Sequence, residues 1–183
     1  MLILRPILLL CVGAVSASLV QAKAPPVSKP PLKDGEQALP ADYAGWPKFL
    51  SEVQRPDAKQ VREIYMNKEA RTATAAKGFP DGSVFVMENY AAKLNPDGTP
   101  QTDARGKLLK GELARIFVMG KNPGWGADAP EGQRTGSWIF SSYLPDGQKS
   151  TDDLGKCRTC HAPLATKDFV HRYDEYFQAA AKR

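Results

Sequence analysis

The sequence predicts an α+β fold in which a mainly antiparallel β-sheet is accompanied by a few short helices. The first observation is a series of Pro/Asp/Gly turn signals that separate runs rich in β-branched and aromatic residues. These turns lie at 80–82, 95–98 and 145–147. The second observation is an apolar stripe near the C-terminus, which has the spacing of an amphipathic helix. Together they favour a sheet that is closed by a C-terminal helical segment.

Four segments between the turns have the composition of strands. The run Ser83–Tyr90 carries apolar residues on both faces, so we expect it to be buried on both sides. The spacing of Val61, Ile64 and Tyr65 also fits one face of a helical turn, and this alternative stays open. The predicted strands are 60–66, 83–90, 108–119 and 137–143, and the second and third form a hairpin with a long polar tip.

Three helices are predicted from caps and composition. Asn67 is placed to cap an alanine-rich helix over 68–77, with Gly78 as its stop. Residues 151–153 are placed to cap a short helix, and an amphipathic helix is expected over 168–183.

The N-terminal region divides into two segments ahead of a single domain. Residues 1–22 resemble a secretory signal peptide: Arg5 supplies the basic region, an apolar stretch covers 6–20, and small residues precede the expected cleavage site. Residues 23–41 contain five prolines and few large apolar residues, so they are predicted to form an extended, mostly disordered leader. The predicted domain covers 42–183, and the signal implies export to the periplasm.

Charge and cysteine content restrict the function of the mature chain. The signal holds one of the 25 basic residues, which leaves 24 basic and 20 acidic residues with no Lys/Arg run. This pattern predicts no nucleic-acid partner, and no membrane association is expected after the signal is removed. Cleavage also removes Cys11, so both remaining cysteines lie in one motif.

That motif is Cys157–His161, which reads C-x-x-C-H and is the signature of covalent c-type haem attachment. Cys157 and Cys160 would each form a thioether to a haem vinyl group, and His161 would ligate the iron. A thioredoxin-type disulfide places its cysteine pair before most of the fold, whereas 22 residues follow His161 here. A structural zinc site needs about four ligands, and His171 is the only other histidine. A plain disulfide is a further alternative, but it leaves His161 unexplained.

The position of the motif restricts the class of cytochrome. No methionine follows His161, as an axial ligand of the class I type would require. Four-helix cytochromes also have a late motif, but they need long amphipathic helices where this chain has turns and β-rich runs. The class of cytochrome that remains is a β domain with a haem attached to its C-terminal helical segment.

With these residues the chain resembles the cytochrome P-460 family and its relative cytochrome c′-beta. The resemblance covers about Tyr43 to Phe177, and its motifs are 61–65, 79–84, 136–140 and 157–161. It implies a homodimer of β-sheet domains in the periplasm. It also implies one haem c, whose five-coordinate iron has His161 on one side and an open distal face.

The resemblance also has a departure. Cytochrome P-460 proper oxidises hydroxylamine, and its haem carries an additional link from a strand lysine. The corresponding position here is Met87, and no lysine lies between Ser83 and Ala92. The family's distal carboxylate would fall near 115–116, where the sequence has Arg and Ile.

Three further residues are predicted to contact the cofactor. Met87 is expected to line the pocket, with plain core packing or iron ligation as alternatives. Phe85 lies two residues away on the same strand face and is expected to help to cap the distal side. Arg62 corresponds to the family's strand arginine, and its guanidinium suits a haem propionate. His171 is expected on a helix surface.

Three functions stay open from the sequence. The first is a mono-haem protein that binds small gases such as nitric oxide. The second is an oxidoreductase that acts on hydroxylamine or nitric oxide, and the third is an electron carrier with a periplasmic redox partner.

Overall fold

The computed structural model describes residues 31–182. Within them, an antiparallel sheet has its strands in chain order, and two short α-helices follow it. The strands are β1 (Lys48–Arg55), β2 (Gln60–Met66), β3 (Val84–Ala92), β4 (Lys110–Lys121) and β5 (Trp138–Tyr143), and the helices are α1 (Gly155–His161) and α2 (Tyr173–Ala180). The predicted α+β class is confirmed. The predicted signal peptide and residues 23–30 of the leader lie outside the described residues.

The central strand β3 pairs with β2 on one side and with β4 on the other. Phe85 and Val86 are both almost completely buried although they point to opposite faces, so β3 is covered on both sides as predicted. The turn before β3 needs glycine at position 82, where φ is +84° and the backbone N–H donates to the Lys121 carbonyl at 2.7 Å. Each predicted strand is present, within a few residues of its expected ends.

The predicted helix over 68–77 is wrong. The segment contains one 3-10 turn, Ala70–Thr72, and the rest is loop. Asn67 does accept a hydrogen bond from the Ala70 N–H at 3.0 Å, but the same oxygen also accepts from the Val84 N–H at 3.0 Å. The side chain therefore fastens the turn to the start of β3. A short segment that buries little apolar surface has no packing to sustain a longer helix.

The C-terminal helix is shorter than predicted, and one strand was not predicted at all. Residues 168–172 break the expected helix because Asp168, Phe169 and Arg172 have positive φ angles. The unpredicted strand is β1, which buries Phe49 and Val53 and contains an irregular register around Glu52, whose φ is +51°. That bulge interrupts the alternation by which a strand is recognised.

The part of the predicted leader that the structure describes is bonded to the sheet. The Gly35 N–H donates to the Phe140 carbonyl at 2.7 Å, and Asp34 accepts from the Phe140 N–H at 2.9 Å. The Gln37 carbonyl accepts a hydrogen bond from the Tyr143 hydroxyl. Residues 31–41 therefore differ from the disordered segment that their composition predicts, because β5 is the edge strand of the described sheet and offers its backbone groups.

The sheet separates two clusters of side chains. One face carries Phe49, Phe85 and Phe140 and is partly covered by α2. The opposite face carries Tyr65, Val86, Ile116, Val118 and Tyr143 under residues 39–46. No helix in the described range 31–182 has the length and apolar character needed to cross a bilayer.

Candidate haem site

A cavity of about 880 Å³ lies between one face of the sheet and α1. This volume is at the upper end of the range of small-molecule and cofactor sites. Every site residue predicted from the sequence lines this single cavity: Arg62, Phe85, Met87, Cys157, Cys160 and His161. The structure therefore brings together residues that are separated by up to 99 positions in the chain.

The floor of the cavity is a sheet face whose polarity changes along the strands. Three cross-strand rows can be traced from the register. The polar row is Arg62, Asn89 and Arg115; the middle row is Ile64, Met87 and Phe117; the third row is Phe85, Met119 and Phe140. Four residues of strand rise separate the outer rows, which is about 13 Å. The face is thus apolar over most of its length and cationic at one end.

The two cysteines and His161 are carried by α1, and Arg158 fixes this helix to the sheet. The Arg158 guanidinium is almost fully buried and donates to both oxygens of Asp34, at 2.5 and 2.9 Å. Asp34 also accepts from the backbone of β5, so it joins α1 to the sheet. Cys157 and Cys160 are free thiols that line the cavity. Helical spacing of i and i+3 places them on the same side of α1.

His161 is held in the state that a metal ligand requires. Its Nδ1 donates to the Phe169 carbonyl at 2.6 Å, which leaves Nε2 with its lone pair. Burial lowers the pKa of His161 to about 4, partly opposed by that hydrogen bond, and the imidazole is therefore neutral near pH 7. His171 was expected on a helix surface, but it lies in the turn before α2 and lines the cavity, where its ring is edge-on to His161 with centroids 4.8 Å apart. Its contact with His161 was not anticipated.

Two observations weigh against the alternative chemistry of the C-x-x-C pair. Burial, reinforced by nearby acidic groups, raises the pKa of the Cys157 thiol to about 11, whereas redox-active thiols have lowered values. In addition, no group of three or more His, Cys, Asp or Glu side chains within residues 31–182 is arranged to hold a metal ion. The pair therefore suits neither a thioredoxin-type dithiol nor a structural zinc site.

The protein alone does not complete the hydrogen bonds of the buried polar atoms around the cavity. In the described part of the chain, three buried side-chain polar atoms have no hydrogen-bond partner: Arg62 Nε, Asn89 Oδ1 and Ser141 Oγ. All three belong to residues that line the cavity. Buried polar groups are otherwise almost always paired. The orphaned Arg62 Nε, on the cationic end of the floor, fits an anionic substituent of a bound group such as a propionate.

Guanidinium groups cluster at that end of the cavity, where Arg55 is paired with Asp57 and Arg115 with Asp152. Burial lowers the pKa of Arg62, and neighbouring Arg55 and Arg172 lower it further, partly opposed by Asp57. A bound carboxylate would offset this repulsion. The residues present therefore fit a haem: thiols and an imidazole on α1, an apolar floor, and guanidinium groups at one edge.

The sequence of the domain agrees with this geometry. The sequence model of the Cytochrome P460 family matches residues 40–172, which is most of the chain. The chain belongs to the cytochrome P460 family. A search of curated proteins found no match. Membership indicates a haem protein of the c type, and the residues that line the cavity fit such a cofactor.

Two features of the cavity bear on its chemistry. Met87 lies at the centre of the floor between Ile64 and Phe117, at the position that the resemblance assigns to the cross-linking lysine. Of the described residues that line the cavity, one is a lysine, Lys156, and it lies on α1 and not on β3. The acidic residues among them are Asp152 and Asp153, which precede α1. The described strands therefore place no carboxylate on the floor.

Several cavity residues were not predicted, although the sequence contained a signal for them. Asn89 continues the alternation of Phe85 and Met87 along β3, and Phe117 and Met119 alternate in the same way along β4. The strand period assigned these residues to one face. The missing information was which face of each strand meets α1.

Proposed function

We propose that this chain is a periplasmic mono-haem c-type cytochrome that binds small neutral gases such as nitric oxide. The observation that supports it most is the apolar centre of the cavity floor, where Met87 lies between Ile64 and Phe117. A haem iron with one axial imidazole would supply an open coordination position for such a gas. We also propose a homodimer, as the family resemblance implies.

Each group of residues around the cavity would have its own role in holding the cofactor. Cys157 and Cys160 would hold the cofactor covalently, burial would keep the His161 imidazole neutral, and the Phe169 carbonyl would orient it. Arg62 would bind a propionate at the cationic edge. The apolar rows of the floor would exclude water and charged ligands, since nothing there compensates the desolvation of a charge.

Hydroxylamine oxidation of the cross-linked type has less support. That chemistry depends, by the family resemblance, on a strand lysine and a distal carboxylate. The described floor has a thioether at the first position and no carboxylate for the second. A thioether cannot supply the amine of the lysine link.

An electron carrier is the second candidate, because two thioethers, Met87 and Met119, line the cavity. A methionine on the iron would fill the open position, raise the reduction potential and suit electron exchange with a periplasmic partner. The two candidates differ in whether the iron is five- or six-coordinate.

The test is the absorption spectrum of the reduced holoprotein, with and without nitric oxide and carbon monoxide. A gas-binding protein has a five-coordinate spectrum that shifts with either gas. A low-spin spectrum that carbon monoxide leaves unchanged contradicts gas binding and supports the carrier. Met87→Leu and Met119→Leu, each of which removes one candidate thioether, then separate the roles. Neither variant changes the coordination of a gas binder, whereas one of them converts a carrier to five coordination. Turnover of hydroxylamine by the wild-type protein would instead support the oxidoreductase.

A further inference from the structure

The loop between α1 and α2 has an unusual backbone. Three non-glycine residues lie in the left-handed region: Asp168 (φ +48°), Phe169 (φ +59°) and Arg172 (φ +58°). Such a conformation is unfavourable for a residue with a Cβ and persists only where its surroundings enforce it. Asp168 and Phe169 are consecutive, and the Phe169 carbonyl is the hydrogen-bond partner of His161.

The Asp168 carboxylate ties this loop to the sheet. It accepts hydrogen bonds from the Phe79 N–H at 2.8 Å, from Lys121 Nζ at 3.0 Å to each oxygen, and from Trp138 Nε1 at 3.3 Å. Lys121 ends β4, Trp138 begins β5, and both partners of the ion pair have side chains that are 18% exposed. Gly78 permits this approach, because a Cβ there would lie 2.9 Å from Asp168 Oδ2.

The next residue connects this anchor to the haem site. The Phe169 carbonyl accepts the His161 Nδ1–H at 2.6 Å, and the Phe169 N–H donates to the Leu164 carbonyl at 2.9 Å. The Phe169 ring lies against Gly136, where an added Cβ would approach to 2.9 Å. The Phe169 peptide is therefore fixed by the strained turn at Asp168 on one side and by packing on the other.

We propose that Asp168 is a positioning residue for the axial imidazole. By enforcing the left-handed turn it aims the Phe169 carbonyl at His161, and this bond raises the basicity of the imidazole as a ligand. The inference rests on the proposed role of His161 as the haem ligand. A purely structural Asp168 would affect stability and leave the properties of the iron–imidazole bond unchanged.

The experiment compares Asp168→Asn with Asp174→Asn, an exposed carboxylate that pairs with Lys167 nearby. Haem content and protein mass are measured first on the wild type and both variants. Resonance Raman of the reduced proteins then gives the iron–histidine stretching band, and a redox titration gives the potential. We expect the band of Asp168→Asn to fall in frequency and broaden and its potential to become more positive, while Asp174→Asn matches the wild type.

The possible failures are distinguishable. Wild-type protein without attached haem overturns the proposed function itself. Haem-loaded Asp168→Asn with an unchanged band and potential overturns the positioning role, even if its melting temperature is lower. If Asp168→Asn does not fold, Lys121→Met serves instead, because it removes the cation and leaves the Phe79 bond to the carboxylate in place. A smaller shift of the band in the same direction supports the proposal, and no shift contradicts it.

Discussion

The two faces of the sheet differ in whether their buried polar side chains have hydrogen-bond partners within the protein. On the face away from α1, the Glu88 carboxylate accepts hydrogen bonds from the hydroxyls of Tyr43 (2.9 Å), Tyr65 (2.9 Å) and Tyr90 (2.8 Å). On the cavity face, the adjacent residue Asn89 is equally buried, yet its side-chain oxygen has no partner. Neighbouring positions of one strand therefore differ in whether the protein itself completes their hydrogen bonds.

The difference separates a structural polar cluster from a binding site. A carboxylate with three donors is a finished network, which stabilises the fold and needs nothing else. An unpaired buried amide oxygen and guanidinium nitrogen in a concave site are costly unless a further group pairs with them. For this reason the cofactor is expected on the cavity face of the sheet and not on the face that carries Glu88.

The largest expected effect comes from Glu88→Leu. It leaves three phenol hydroxyls without their acceptor, so we expect the free energy of unfolding to fall by about 3–5 kcal/mol. Urea unfolding of the holoprotein measures it. The visible spectrum should stay unchanged, because Glu88 faces away from the cavity.

Asn89→Leu is the matched variant on the other face. We expect it to change the free energy of unfolding by about 1 kcal/mol or less, because it breaks no bond within the described protein. It should instead alter the haem spectrum or potential. Equal losses of stability in the two variants would contradict the distinction between the faces.

Arg62→Met tests the cationic edge of the cavity. Removing a positive charge beside the cofactor should make the reduction potential more negative, since the reduced haem loses electrostatic stabilisation. Arg105→Met, at an exposed site in the hairpin tip, is the control. A potential equal to that of the control would place the propionates elsewhere.

Acid sensitivity should come from Glu63, next to Glu88 in space on the neighbouring strand. Burial raises its pKa, but hydrogen bonds from Ser51, Lys110 and Lys48 more than offset this, and the net pKa lies below its ordinary value. The stability it provides is therefore present above the ordinary carboxylate pKa and is lost as the pH falls through the lowered value. Glu63→Gln should flatten this part of the stability–pH curve, and an unchanged curve would contradict the assignment.

The smallest effect is expected at high pH. Burial and the hydrogen bond to Glu88 raise the pKa of Tyr43 and Tyr90 above the ordinary value. Their stabilisation is complete below the pKa of an unfolded tyrosine and is lost as the pH rises through the folded-state values. An ultraviolet titration should show two tyrosines that ionise late, and in Glu88→Leu the shift should shrink.

The strands and the haem motif could be predicted because they depend on local signals. A continuous apolar run after the turn at 80–82 marks β3, and Cys157–His161 is recognisable at fixed spacing. The sequence also pointed to Arg62, Phe85 and Met87 through the family resemblance. The structure brings all of them to one cavity.

The rest depends on contacts between distant segments, which local patterns do not contain. Asp34 reaches Arg158 across 124 residues and also accepts from the Phe140 N–H, so the described part of the predicted leader is bonded to both α1 and β5. The helix break at Asp168 likewise depends on Phe79 and Lys121. The bulge at Glu52 interrupts the alternation of side chains in β1, and this is why the sequence pattern did not indicate that strand.

Covalent haem attachment is tested by the intact mass of the holoprotein, made together with the haem-attachment machinery, beside a variant with both Cys157→Ser and Cys160→Ser. We predict that the wild type carries the mass of one haem that survives denaturation and acid-acetone extraction, and that the double variant does not. A colourless wild-type protein, or pigment lost to the extraction, would contradict it.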